Sequence, residues 1–212
     1  MRLMSDLHEE RLDTVLEALL RSGARSVLDL GCGTGELLAR LAREGQFRRI
    51  VGIDVSLKAL RAAQALVEAL LGDAQARVSL VHASFTAPDC PLEGFDAAAL
   101  VETIEHIDPG RLATVEHAVF RRARPATVIV TTPNRDYNVL HGMPEDALRH
   151  PDHRFEWGRA RFRSWAFGAA RRNGYAAHFD DIGDVDPLLG GSTQMATFGR
   201  EALMQPRAAR SP

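Results

Sequence analysis

Cysteine is scarce in this chain: Cys32 and Cys90 are the only two among 212 residues. That excludes a disulfide framework and fits a reducing compartment. Long apolar runs are also missing, so no segment reaches the roughly 20 residues that span a bilayer, and no membrane contact is expected. The opening residues, Met1-Arg2-Leu3-Met4-Ser5-Asp6, turn acidic before an apolar signal core can form. Taken with the cysteines, this predicts a cytoplasmic protein. Lysine is represented by Lys58 alone, and the formal net charge of −2 excludes a uniformly basic coat for nucleic acid.

The basic charge that is present clusters. Arg149, Arg154, Arg159, Arg161, Arg163, Arg171 and Arg172 face only Asp152 and Glu156 in the same stretch. Guanidinium forks match phosphate oxygens. An arginine-favouring genome and a solvated helix face explain the residue type, but explain the clustering less well. With 45% hydrophobic and 25% charged residues, the composition is that of one globular domain able to bury a core without staples.

Short hydrophobic runs alternate with helical patterns, the signature of βαβ units and a parallel sheet. Strands are expected at 26–30, 49–55, 77–82, 95–101 and 126–131. Helices are expected at 13–20, 36–43, 57–71 (capped by Ser56), 108–123 (opened by Asp108-Pro109) and 159–173 (closed by Gly174). A final strand pair is expected at 175–179 and 193–198. The fold class is therefore α/β, a doubly wound and mostly parallel seven-stranded sheet ending in an antiparallel pair. The domain is expected to cover 1–204, with a disordered tail at 205–212. The longest stretch without a clear element is 133–158, and a loop of that length in a compact domain usually carries function.

The first strand leads into Asp29-Leu30-Gly31-Cys32-Gly33-Thr34-Gly35, followed by a helix. Glycines there allow a tight turn and a close approach to a ligand at the carboxyl edge of the sheet. Asp54 follows 19 residues after Gly35, at the end of the second strand, where a carboxylate can accept hydrogen bonds from ribose hydroxyls. The glycines fall at positions one, three and five, not at the one, three and six of dinucleotide-binding loops. With Asp29 ahead of it, the motif resembles the first motif of the class I methyltransferases, which bind S-adenosylmethionine. The resemblance runs over nearly the whole chain. It implies that Asp29, Gly31, Gly33 and Gly35 form the cofactor loop, that Asp54 holds the ribose, and that Ser84 and Phe85 lie near the adenine.

The fourth strand runs into Val101-Glu102-Thr103-Ile104-Glu105-His106. Glu102, Glu105 and His106 are spaced i, i+3, i+4 and would share one face of a helical turn. Two carboxylates and an imidazole converging there call for a divalent cation, and Mg²⁺, Mn²⁺ and Zn²⁺ all accept such ligands. Ordinary surface acids, with Glu102 opening a helix, account for the same letters. The stretch from His150 to Trp157 brings further histidines within reach.

Glu102-x-x-Glu105-His106, then Thr132-Pro133-Asn134-Arg135-Asp136-Tyr137-Asn138, then His153-Arg154-Phe155-Glu156-Trp157 resembles the HEN family, the small-RNA 3′-terminal nucleotide 2′-O-methyltransferases. Leu7-His8-Glu9-Glu10-Arg11-Leu12 is similar to the family's entry to the domain. The resemblance implies a divalent cation, Mg²⁺ or Mn²⁺, held by Glu102, Glu105, His106 and His153, which are also the catalytic residues. It implies an RNA 3′ end as substrate, with Asn134, Arg135, Tyr137 and Arg154 beside it. Bacterial members often carry a second region that docks an RNA-repair kinase and ligase; this chain has room for the methyltransferase domain alone. Gly158 departs from the family, standing where a hydroxyl residue is expected. Two rival readings use the same fold: a metal-dependent O-methyltransferase of catechol-like small molecules, and a non-catalytic RNA-binding scaffold.

Overall fold

The structure is a computed structural model that describes residues 4–71 and 76–200. The expected tail at 205–212 lies outside the described residues. Strands β1 (Ser26–Leu30), β2 (Arg49–Asp54), β3 (Val78–His82), β4 (Ala97–Val101), β5 (Thr127–Pro133), β6 (Tyr175–Asp186) and β7 (Gly190–Arg200) form one sheet in the order β3-β2-β1-β4-β5-β7-β6. β1 to β5 pair in parallel, while β7 runs antiparallel to both β5 and β6. The strand order reverses between β1 and β4. Open sheets bind their ligands outside the strand carboxyl ends at such a switch point.

Side-chain alternation sends each strand's apolar residues to two cores. On one face α1 (Met4–Arg21), α2 (Glu36–Arg43) and α3 (Leu57–Leu71) bury Leu19, Leu38 and Val67 against Val27, Ile50 and Ile129. On the other face Phe120 and Phe162 pack on Leu28, Val51, Val128 and Phe198. Phe162 belongs to α5 (Arg159–Asn173), which Gly174 closes in the left-handed region. The two clusters wall the sheet on both sides and leave its carboxyl edge to loops.

Five elements differ from the sequence expectation. α1 starts at Met4, well before residue 13. Its first turns lack a clear apolar stripe because they are held by ion pairs, Arg40 of α2 bonding both Glu9 and Asp13. The expected helix 108–123 is instead a composite. A 3₁₀ turn at Pro109–Arg111, capped by Asp108 accepting from the Gly110 amide at 2.7 Å, leads into α4 (Leu112–Glu116) and a π-helix at His117–Ala123. The closing strands are roughly twice their expected length. Asp180, Asp181, Asp184 and Asp186 conceal the β6 pattern: Asp180 and Asp184 are exposed on this edge strand, where charge blocks edge-to-edge pairing, Asp181 pairs with Arg159, and Asp186 accepts from the Leu188 and Leu189 amides. Within 133–158 a 3₁₀ helix spans Arg135–His141, and a bridge between Asn134 and Trp157 closes the loop.

Candidate functional site

The glycine loop leaves β1 and opens on a cavity of ≈ 1230 Å³. Gly31 has φ +83°, and a Cβ there would meet Thr103 Cγ2 at 2.7 Å. Gly35 has φ +85°, and its Cβ would meet that of Ala63 at 2.8 Å, so α2 and α3 approach closely only without a side chain at this point. Asp54 fixes the loop: Oδ2 accepts from the Gly33 amide at 2.9 Å, and Oδ1 accepts from the Ser56 amide at 2.7 Å. A carboxylate has about four acceptor sites, so roughly two stay open towards the cavity. Asp29, Gly31, Gly33, Asp54, Ser84 and Phe85 all line that cavity. Gly35 sits one step further on, as the cap of α2. Burial, then the charge of Asp54, pushes the Asp29 carboxyl up to about 7. A cationic ligand group beside it would relieve that cost.

The same cavity reaches Glu102, His106 and Arg154. Glu102 to His106 do not make one helical turn. Glu102 takes φ +49°, rare for a residue with a side chain, and the 3₁₀ turn covers only Ile104–His106. The Glu102 amide donates to the Thr131 carbonyl at 3.2 Å and to Thr131 Oγ1 at 3.0 Å, which holds the left-handed step in place. The shared helical face expected for these residues is therefore replaced by a bend. Glu102 turns to Arg11 (3.2 Å) and accepts from Thr131 Oγ1 (3.1 Å).

Glu105, His106 and His153 do come together, each offering a ligand atom within 4.8 Å of the others. The His106 and His153 rings are 4.9 Å apart, and His150 adds a third ring 6.1 Å from His106. His153 arrives on the 133–158 segment, which is pinned by the Arg154 amide donating to the Glu105 carbonyl at 2.7 Å. Glu156 orients the ring, its Oε1 lying 2.6 Å from His153 Nδ1. That leaves Nε2 free to bind, a pattern common behind metal-bound histidines. Asn138 and the Arg149 amide donate to Glu156 at 2.9 and 2.6 Å. Burial raises the Glu156 carboxyl, but the bonds from Asn138, His153 and Arg149 outweigh it and hold it below its ordinary value.

The donor set fits a divalent cation. Glu105 is fully buried. Its Oε2 accepts from Thr132 Oγ1 at 2.9 Å, while its Oε1 has no hydrogen-bond partner. An unpaired buried carboxylate oxygen costs several kcal/mol unless something positive meets it. Burial, then the charge of Glu102, drives the Glu105 carboxyl well above the usual carboxylate range. Burial, then His153, lowers the His106 pKa and favours the neutral ring that binds metals.

The residues expected beside RNA divide in two. Arg135 and Arg154 are exposed, and Arg154 borders the cavity. Asn134 and Tyr137 are buried. The Asn134 amide donates to the carbonyls of Leu189 and Gly191, both at 2.8 Å, which secures the turn after β5. The arginine cluster divides likewise. Arg149 is held by Asn138, Asn134 and Ser192, Arg159 by Asp181, and Arg172 by Glu116. Arg154, Arg161, Arg163 and Arg171 are exposed, with Arg161 over the Trp157 ring and Arg163 over that of Phe179. Sequence reasoning assigned no role to Arg11, Thr131, Thr132 or Glu156. The signal for Arg11, Thr131 and Thr132 is tertiary, because each touches a predicted ligand from another segment, whereas Glu156 sits three residues from His153 on the same loop.

Comparison with known proteins converges on one group. Residues 27–126 match a family model described as a methyltransferase domain. The chain is 32% identical to a small RNA 2′-O-methyltransferase of Rattus norvegicus over 99% of its own length and 55% of the relative's. Among solved structures it resembles the methyltransferase domain of bacterial CtHen1-CN, with TM-score 0.82 and 40% identity over 91% of this chain and 99% of that one. It also resembles the small RNA methyltransferase HEN1, with TM-score 0.85 and 29% identity over 94% of this chain and 26% of that one. The chain spans about half the length of the rat relative.

Proposed function

The chain belongs to the Hen1 family of methyltransferases, and from that premise we propose that it methylates the 2′-hydroxyl of the 3′-terminal nucleotide of RNA. S-adenosylmethionine supplies a methyl group on a sulfonium centre, and Asp29, Gly31, Gly33 and Asp54 are the residues that would hold it. A divalent cation, Mg²⁺ or Mn²⁺, held by Glu105, His106 and His153 with Glu102 turning in as the fourth ligand, would orient vicinal ribose oxygens and stabilise a developing alkoxide.

The chain's own residues do the placing. Gly31 lets the loop backbone approach the ligand, and Asp54 ties that loop to β2. Thr132 and Glu156 fix Glu105 and His153 before any substrate arrives, so little reorganisation remains for the reaction. Arg154 stands at the cavity rim for an incoming phosphate, and Arg161, Arg163 and Arg171 extend positive charge along α5. Contacts of this kind read the backbone rather than the bases, so weak sequence preference and salt-sensitive binding follow.

The observation that carries this reading is the cluster of Glu105, His106 and His153, joined through His106 to the cavity that the glycine loop also lines. A free ribose end offers two neighbouring hydroxyls to a cation, whereas an internal nucleotide has its 3′ oxygen esterified. The test is one RNA with four ends: 2′,3′-dihydroxyl, 2′-deoxy, 3′-deoxy and 3′-phosphate. Methyl transfer from labelled cofactor is expected on the first alone. Equal transfer to the 3′-phosphate end, or methyl groups at internal positions, overturns terminal selection. Transfer to catechol but not to RNA favours the small-molecule reading.

A further inference from the structure

Arg11 lies on α1, outside the sheet, yet its side chain is 90% buried beside Glu102. Its Nη2 donates to Thr193 Oγ1 of β7 at 3.0 Å and stands 3.2 Å from Glu102 Oε2. Its Nη1 lies 3.4 Å from His8 Nδ1. Its Nε is buried without a hydrogen-bond partner. Glu102 Oε1 is engaged as well, by Thr131. Both Glu102 oxygens are thus occupied, and the carboxylate stands outside the group formed by Glu105, His106 and His153.

A buried guanidinium prefers a carboxylate through its two-pronged fork. Arg11 instead meets Glu102 with one nitrogen and leaves Nε unused. That is a weak hold between a buried guanidinium and a partly exposed carboxylate. It neutralises Glu102 beside Glu105, a carboxylate with an orphan oxygen of its own, and it can be released. A dication entering the cluster would feel both carboxylates as attraction and Arg11 as repulsion.

Resting on the cation reading above, we propose that Arg11 is a positioning residue that competes with the divalent cation for Glu102. It holds the Glu102 carboxylate away from Glu105, His106 and His153 before the cation arrives and surrenders it on binding. Thr193 and His8 remain as partners for the released guanidinium. His8 and the next turn's Leu12 line the cofactor cavity, so this exchange takes place on the helix that walls the methyl donor.

The test is Mn²⁺ titration of the full chain without RNA, followed by electron paramagnetic resonance of the free ion. Arg11→Met is expected to bind Mn²⁺ about tenfold more tightly than the unmodified protein, and Arg11→Lys is expected to stay close to it. In a Glu102→Gln background the gain from Arg11→Met is expected to shrink, since the contested ligand is gone. An unchanged or weaker affinity in folded Arg11→Met overturns the proposal, and so does an equal gain in both backgrounds. Arg11→Gln provides the same comparison if Arg11→Met does not fold. Failure of the unmodified protein to bind Mn²⁺ at all overturns the cation reading itself, which is a separate result.

Discussion

The two halves of the cavity are built in opposite ways. The cofactor half is local and made of backbone: Gly31 to Gly35 form one loop, and Asp54 at the end of the neighbouring strand ties it down. The half that we propose holds a cation is non-local and made of side chains. Glu105 and His106 follow β4, His153 comes from the 133–158 loop, and Arg11 reaches in from the first helix. A loop held by glycines and one carboxylate tolerates change in its surroundings. A cluster drawn from three segments fails when any one of them shifts.

The largest expected effect breaks the cation half alone. His153→Ala removes a ligand and frees Glu156, so methyl transfer should fall at least about a hundredfold. Cofactor affinity, read by calorimetry with the demethylated product, should stay within about twofold because the loop does not touch His153. A matching loss of cofactor binding would show that the halves are one unit.

The converse experiment strikes the cofactor half. Asp54→Ala removes charged acceptors for a ribose and for the Gly33 and Ser56 amides, so cofactor affinity should weaken about ten- to a hundredfold. Mn²⁺ affinity should hold. Unchanged calorimetry in a folded Asp54→Ala protein removes the assignment.

The last expected effect is on stability and not on activity, and it sharpens the electrostatic side of the comparison. Asp29 has its folded pKa raised to about 7, by burial and then by Asp54; the unfolded value is about 3.9. The folded state therefore holds the proton more tightly. Its stabilising contribution is complete below the unfolded pKa and is lost as pH rises through about 7. Asp29→Asn should thus be more stable than the unmodified protein at pH 8 without cofactor, by at most about 4 kcal/mol as read from unfolding, and the advantage should fade towards pH 4. An advantage that does not change between those pH values would discard the buried-charge account.

How much of this was legible in the sequence follows from the same contrast. The glycine loop, the acid after β2 and the alternation of strands and helices are short-range patterns, and they stand in the structure where their spacing placed them. The start of α1 was hidden because ion pairs, not apolar periodicity, hold its first turns. The length of β6 was hidden by aspartates that suit a solvent-facing edge. The bend at Glu102 was invisible because i, i+3, i+4 spacing presumes a helix, and a left-handed residue ends that presumption.

The sequence by itself determined where the strands and helices lie and the loop that faces the cofactor cavity. Each of these depends on residues within a few positions of one another and on the backbone conformations those residues permit. Tertiary structure decided which side chains meet at the other end of the cavity. It brought His153 to His106, tied Asn134 and Arg149 to Gly191 and Ser192 of β7, and turned Glu102 towards Arg11. The reason is physical. Buried charges take whichever partner the packing of distant segments delivers, and spacing along the chain carries no record of that choice.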